Sequence, residues 1–210
     1  MPDLHLAPKI ILLGGPPGAG KTTLGRALAR QLGYHSITID DLVTAVQAVT
    51  TPESHPGLHL MWQVSHLNYF TETRPADLIL DAKAQHTAAW PIIVKVIRKY
   101  VSQKSGVVID GWHLWPERVA DLDIDGLWPA WIWIDPKVLR QREEANIAWT
   151  EGSSNPQQML DHFMQRSLWF NQFYKEQADA LGMTVLIQDG FQTVEQLCTA
   201  AQTHLELVED

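Results

Sequence analysis

The sequence predicts an α/β fold in which a parallel β-sheet is covered by helices on both faces. Two observations lead to this prediction. Short apolar runs alternate with longer helix-like patterns along the 210 residues, and a glycine-rich segment at 15–20 joins the first run to the first helix pattern. Parallel strands need crossover connections, usually helices that cover the sheet. Ligands bind at the carboxyl ends of the strands in such folds, so we expect the functional residues there.

Five short apolar segments are predicted to form the strands of the sheet. Each is rich in β-branched residues or leucine and is bounded by turn-forming or charged residues. The predicted strands are residues 9–13, 35–39, 106–110, 130–135 and 183–187. No internal repeat or low-complexity segment interrupts them, so a single domain is predicted over residues 1–210.

Helices are predicted where apolar residues recur every three or four positions between these strands. The predicted helices are residues 22–32, 42–49, 58–71, 77–104, 137–148 and 156–181. Gly33 is a C-cap signal for the first helix, and a capping box at 193–196 begins the last one. Pro91 is expected to kink the long fourth helix.

The composition is that of a folded protein and excludes several classes of partner. A net charge of −8 argues against a general nucleic-acid surface or an anionic membrane surface. A single cysteine, Cys198, excludes an intrachain disulfide framework and favours a reducing cytoplasm. We find neither a signal-peptide pattern nor an apolar run of membrane-spanning length. Most of the nine tryptophans are expected in the core.

The glycine-rich segment has the pattern G-x-x-x-x-G-K-T, which binds nucleotide phosphates. Backbone N–H groups at glycines converge on the phosphates at a helix N-terminus, where a lysine adds positive charge. The residues predicted to hold the nucleotide are Gly15, Pro16, Pro17, Gly18, Ala19, Gly20, Lys21, Thr22 and Thr23. The Thr22 hydroxyl is a predicted ligand of Mg²⁺. ATP is favoured over GTP because no N-K-x-D guanine motif is found.

Carboxylates follow two of the predicted strands. Asp110 ends an apolar strand, as in a Walker B segment, and is predicted to help hold Mg²⁺; the alternative is that it caps the next turn. Asp40 ends the second strand and is the candidate base for an acceptor hydroxyl. Asp41 competes for that role but is also a natural N-cap for the helix predicted from Leu42.

Arginines are expected to cover the transferring phosphoryl group from a lid. The candidates are Arg140, Arg142 and Arg166, with solvation or pairing to nearby glutamates as the alternative. Arg140 and Arg142 are two positions apart on a helix, so at most one of them is expected to reach the phosphates.

Three residues after the third strand are candidate substrate contacts, namely Trp112, His113 and Arg118. They follow that strand on the predicted ligand edge. The alternative for His113 is a purely structural role. Arg118 either binds an anionic acceptor or pairs with Glu117 or Asp121.

The layout resembles the nucleoside-monophosphate kinase-like branch of the P-loop proteins. This resemblance implies a three-layer P-loop NTPase fold with sheet order 2-3-1-4-5, an acceptor-facing carboxylate at Asp40 and a small helical lid that supplies arginines. A more specific resemblance, over residues 8–120, is to 2-phosphoglycerate kinase. It rests on His55–His59, on Ala84-Gln85 and on Val107–Pro116. The chain departs from that family by having Asp110 for a glutamate and no arginine after Asp40-Asp41.

The sequence thus predicts an ATP- and Mg²⁺-dependent kinase of a small-molecule hydroxyl or acid, with lid or covering regions at about 51–76 and 149–166. The alternatives are 2-phosphoglycerate kinase proper, a nucleotide kinase, or a nucleotide-dependent regulatory switch with little transfer activity. We expect a cytoplasmic monomer or homodimer that binds neither nucleic acid nor membrane. The acceptor is not identified by the sequence.

Overall fold

A computed structural model describes residues 9–62 and 64–207. Its five strands form one parallel sheet in the order β2-β3-β1-β4-β5, which confirms the expected fold class and strand order. The strands are β1 (Ile10–Gly14), β2 (His35–Thr38), β3 (Val107–Asp110), β4 (Leu127–Ile134) and β5 (Thr184–Gln188). Each was predicted to within three residues at either end.

Helices connect the strands and pack against both faces of the sheet. They are α1 (Lys21–Leu32), α2 (Ile39–Gln47), α3 (Pro56–His59), α4 (His66–Glu72), α5 (Pro75–Gln103), α6 (Pro116–Ala120), α7 (Pro136–Ala145), α8 (Pro156–Ala180) and α9 (Val194–Leu207). Short 3₁₀ segments lie at Leu60–Trp62 and Ile147–Thr150. None of the helices in the described part of the chain is long and apolar enough to cross a membrane.

Side chains of β1 alternate between two apolar cores, one on each face of the sheet. Ile11 and Leu13 pack with residues of α1 and α9, whereas Ile10 and Leu12 pack with residues of α5 and α8. Because both faces are covered, every residue of β1 is buried. This explains why the strand is a continuous apolar run rather than an alternating one.

Helix α2 begins three residues earlier than predicted, at Ile39. Its N-cap residue is Thr38, so the expectation that Asp41 caps this helix is wrong. Ile39 is fully buried beneath Gly111, where even a methyl group would come within 2.6 Å of its Cβ. Asp40 and Asp41 therefore lie in the first helical turn, where carboxylates interact favourably with the helix dipole.

One further helix prediction differs from the structure, whereas the kink expected at Pro91 stays a prediction. The helix predicted over 58–71 is divided into α3, a 3₁₀ segment and α4, which begins after the N-cap Ser65. Helix α5 continues through Pro91, which lies on its exposed side. The capping box is present as predicted, because the backbone N–H of Gln196 donates to Thr193 Oγ1 and the Gln196 side chain accepts from Thr193 N–H.

Candidate active site

The glycine-rich loop lies between β1 and α1, at the carboxyl edge of the sheet. Gly20 occupies the N-cap position of α1 with a φ of 94°, a left-handed conformation that favours glycine. A side chain at Gly15 would come within 2.7 Å of the Ile132 carbonyl oxygen. No side chain caps the N-terminus of α1, so its first backbone N–H groups remain available to an anion.

Lys21 is buried at the base of this loop. Its Nζ donates a hydrogen bond to the Pro16 carbonyl oxygen at 2.7 Å, which holds the side chain under the loop. Burial lowers the pKa of Lys21, while the nearby carboxylates of Asp40 and Asp110 act in the opposite direction. The ammonium group therefore lies between the phosphate-binding loop and two carboxylates.

Thr22 and Asp110, the two predicted ligands of Mg²⁺, are in direct contact. Thr22 Oγ1 donates to Asp110 Oδ2 at 2.7 Å, and Thr38 Oγ1 donates to the other carboxylate oxygen at 3.2 Å. Burial raises the pKa of Asp110, and these hydrogen bonds and Lys21 partly oppose the shift. A hydroxyl and a carboxylate are oxygen ligands of the kind that Mg²⁺ takes alongside substrate phosphates. The pair therefore fits Mg²⁺, although no group of three His, Cys, Asp or Glu in the described chain could hold a metal alone.

Asp40 projects from the first turn of α2 into a cleft that Lys21 also lines. Its side chain is 56% exposed because it faces the open space of this cleft. Partial desolvation raises the pKa of Asp40, whereas Lys21 and a hydrogen bond from the Trp112 side chain favour its ionised form. The carboxylate is thus held in place by Trp112 while one side stays open to a ligand.

His113 lies beside Asp40 at the bottom of the cleft. Its Nδ1 is 3.5 Å from Asp40 Oδ1, but the imidazole is only 2% exposed. Burial, together with the positive charge of Lys21, lowers the pKa of His113 to about 3. The contact is therefore not an ion pair at neutral pH. Neither ring nitrogen of His113 has a hydrogen-bond partner in the described chain.

A second histidine, His86, supports His113 from behind. The two rings lie 4.6 Å apart between centroids, and His86 is completely buried. Trp115 Nε1 donates to His86 Nδ1 at 2.8 Å, which places the proton of the neutral imidazole on Nε2. Burial holds the pKa of His86 well below its usual value. His113 is therefore fixed in position by a neutral, hydrogen-bonded neighbour.

The cleft above these residues has a volume of about 230 Å³. Parts of the glycine loop, α1, α2, α5 and the segment after β3 form its wall. The lining residues are Pro17, Lys21, Asp40, Val43, Thr44, Gln47, Met61, Gln85, Trp112 and His113. The lining residues that were not predicted as site residues are Val43, Thr44, Gln47, Met61 and Gln85. The helical spacing of Asp40, Val43, Thr44 and Gln47 would have indicated one face of α2, had its start been predicted correctly.

The two arginines of α7 point in different directions, as their spacing predicted. Arg142 Nη1 donates to the Gly18 carbonyl oxygen at 3.1 Å, so this guanidinium lies against the phosphate-binding loop. Arg140 instead pairs with Asp161 at 3.1 Å and with Glu144 at 3.5 Å. Of these two arginines, the structure brings only Arg142 to the glycine loop.

Arg118 lies outside the cleft that Trp112 and His113 line. Its Nη2 donates to Thr87 Oγ1 at 2.7 Å, and its guanidinium stacks over the Trp115 ring at 4.7 Å. The structure therefore does not place this arginine among the other candidate substrate contacts.

Arg166 is the charged residue whose position the sequence indicated least. It is 2% exposed on α8 and lies over the rings of Phe70 and Trp112, both at 4.8 Å. Its Nε and Nη1 atoms have no hydrogen-bond partner in the described chain, and burial lowers its pKa to about 10. The available signal was a charge on an otherwise apolar helix stripe, between Phe163 and Phe170. A buried cation with unpaired donors fits an anionic ligand.

The two regions predicted to cover the site contact each other. Thr71 Oγ1 and Ser153 Oγ are 2.8 Å apart, and His162 Nδ1 is 3.0 Å from the Phe70 carbonyl oxygen. The ring of Phe70 also packs against Trp149 at 6.0 Å between centroids. These contacts lie next to the Phe70 ring that covers Arg166.

Comparisons with known proteins agree with this geometry. Residues 11–148 match the model of the AAA domain family, which is more than half of the chain. The 2-phosphoglycerate kinase of Pyrococcus furiosus is 31% identical over 110 residues, an alignment that covers 52% of this chain and 36% of that protein. The chain therefore matches only about a third of the length of this relative.

Solved kinase structures share the fold over nearly the whole chain. A gluconokinase from Sinorhizobium meliloti has a TM-score of 0.53 and 16% identity, with 98% of this chain and 95% of that one covered. A shikimate kinase from Aquifex aeolicus has a TM-score of 0.52 and 16% identity, with 94% and 96% covered. Identities this low show the fold alone. Together with the matched family model and the 2-3-1-4-5 sheet, they show that the chain belongs to the AAA domain family and has the fold of the P-loop kinases.

Proposed function

We propose that the chain catalyses ATP- and Mg²⁺-dependent phosphoryl transfer to a hydroxyl group of a small molecule. The observation that carries this proposal is that Lys21 and Asp40 line one cleft, with the Thr22–Asp110 pair beside the same lysine. Phosphoryl transfer needs a cation that binds the phosphates of the donor and a base that accepts the proton of the acceptor hydroxyl, and Lys21 and Asp40 can serve in these two roles.

On the donor side, the amides of the loop and the ammonium of Lys21 bind the β- and γ-phosphates of ATP. Thr22 and Asp110 would hold Mg²⁺, which neutralises charge that develops on the phosphates during transfer. Arg142, already against the loop at Gly18, and the unpaired Arg166 add positive charge for the equatorial oxygens of the transferring group.

On the acceptor side, Asp40 accepts the proton of the attacking hydroxyl. The hydroxyl oxygen forms a bond to the γ-phosphorus as the bond from that phosphorus to the β–γ bridging oxygen breaks, which leaves ADP. Desolvation raises the pKa of Asp40, which makes the carboxylate a better proton acceptor than an exposed one. The covering regions at 51–76 and 149–166 exclude water, which would otherwise compete with the acceptor.

The test is an Asp40→Asn variant, with Asp41→Asn as the matched control on the exposed side of the same helical turn. We expect the first substitution to lower kcat for acceptor-dependent ADP formation by about 10²- to 10⁴-fold. ATP affinity, measured by calorimetry, should stay within about twofold, and the control should keep its activity. Full turnover in Asp40→Asn would contradict the assignment of the base. ATP hydrolysis that no acceptor stimulates would favour the regulatory switch instead.

A further inference from the structure

The wall of the cleft opposite the glycine loop is the surface that an acceptor would meet. Helix α2 presents Asp40, Val43, Thr44 and Gln47 to the cleft, at positions i, i+3, i+4 and i+7 of one helical face. Gln85 of α5 and the segment after β3 complete this wall. Several elements therefore each contribute a side chain to one concave surface, as is typical of small-molecule sites.

Charge is nearly absent from this wall. Among the described lining residues, only Lys21 and Asp40 carry a charge at neutral pH, and Lys21 faces the phosphates of the donor in the proposed reaction. His113 is buried and neutral. Arg166 contacts the Trp112 ring without being one of the lining residues, and in the proposed reaction it serves the transferring phosphoryl group rather than the acceptor. An acceptor with a carboxylate or phosphate would therefore approach Asp40 without a cation of its own, which is unfavourable.

The polar groups on this wall are mostly neutral side chains that form hydrogen bonds. His113 is 98% buried and has two ring nitrogens without partners, although it lines the cleft. Gln85 is also buried, at 3% exposure, and lines the same space. A neutral imidazole and an amide each donate and accept hydrogen bonds, as do the hydroxyl groups of an alcohol. Val43 and Met61 add apolar surface for the carbon skeleton.

The size of the cleft limits the acceptor further. Its volume of about 230 Å³ lies below the roughly 300–1,000 Å³ of pockets that take drug-sized ligands. We infer that the acceptor is an uncharged polyhydroxylated compound, a polyol or sugar no larger than a monosaccharide, rather than a phosphorylated acid or a nucleotide. This inference rests on the proposed transfer reaction and names the acceptor class for the same cleft.

The first test compares acceptors that share a carbon skeleton and differ in one charge. Glycerol with glycerate and D-glucose with D-gluconate are two such pairs, and acceptor-stimulated ADP formation is the readout. In whichever pair the protein phosphorylates, we expect the uncharged compound to have a kcat/KM at least tenfold higher than that of the acid. A preference for the acid, or for 2-phosphoglycerate or a nucleoside monophosphate, would overturn the inference while leaving the proposed reaction intact. If no compound of either kind stimulates ADP formation in a protein that binds ATP, the proposed reaction itself fails.

A pair of variants tests whether this cleft is the surface that selects the acceptor. Thr44→Arg adds a cation to the cleft face of α2 at an exposed position, and Ala45→Arg adds the same cation one residue away, outside the lining. We expect Thr44→Arg to lower the preference for the uncharged acceptor at least tenfold and Ala45→Arg to leave it unchanged. Equal preferences in both variants and the wild type would show that the acceptor is selected elsewhere.

Discussion

Arg166 offers a prediction in which stability and activity change in opposite directions. Burial lowers the pKa of its guanidinium by between two and three units, to about 10. One pKa unit corresponds to about 1.4 kcal/mol, so keeping this group charged costs the folded state about 3 kcal/mol at any pH below the folded pKa. Arg166→Met removes this cost and also the stacking on Phe70 and Trp112, worth about 1–2 kcal/mol. The free energy of unfolding should therefore rise by about 1–2 kcal/mol.

Urea denaturation followed by tryptophan fluorescence measures this change. Arg140→Met is the matched control, because Arg140 is partly exposed and paired with Asp161 and Glu144, so its replacement should change stability by less than about 1 kcal/mol. Phosphoryl transfer should fall on the order of 10³-fold in Arg166→Met, the effect of removing a transition-state arginine. Destabilisation of Arg166→Met by more than about 1 kcal/mol would refute the reasoning, since it would show that the buried charge is already compensated.

Three further predictions concern stability. His113 has a pKa of about 3 in the folded chain and 6.5 when unfolded, so the unfolded state binds more protons as the pH falls from 7 to 5. His86 acts in the same direction in both proteins, so the fall in unfolding free energy over this range should be about 2 kcal/mol smaller in His113→Gln than in the wild type. Asn171 Oδ1 accepts a hydrogen bond from the Ile134 N–H at 3.0 Å, and Asn171 Nδ2 donates one to the Ile134 carbonyl oxygen at 2.8 Å. Asn171→Ala leaves both backbone groups without a partner, so the free energy of unfolding, measured by urea denaturation, should fall by about 3 kcal/mol. A methyl group at Gly14 would lie 2.1 Å from Trp131 Nε1; Gly14→Ala should cost about 2–4 kcal/mol in the same assay, and a smaller loss than 1 kcal/mol would contradict the close contact.

The strands were predictable because burial on both faces demands an uninterrupted apolar run, and few other segments have that pattern. The start of α2 was not predictable in the same way. Local signals favoured Asp41 as its N-cap, but the burial of Ile39 beneath Gly111 draws the helix start back to Thr38. Since Gly111 is distant in sequence, no local signal reports this contact.

The candidate site, like the fold, was predictable only where local sequence patterns are sufficient. The neighbouring positions of Lys21, Thr22 and Asp110 could be predicted from the sequence because they depend on a short motif and on the end of one strand. Arg142 could not be separated from Arg140, because the choice depends on a contact with Gly18, 124 residues away. The signal for Arg166 was a single charge on an apolar stripe, which is equally typical of a residue that reaches solvent.

By itself, the sequence determined that this protein is a parallel α/β fold with a phosphate-binding loop, because local patterns of apolar residues and glycines suffice for both. Only the tertiary structure decided what surrounds the loop. It placed Arg166 against the Trp112 ring and brought the buried side chains of His113 and Gln85 to the wall of the cleft. The physical reason is that burial, and with it charge state and hydrogen-bond satisfaction, is set by residues that meet only when distant segments pack together.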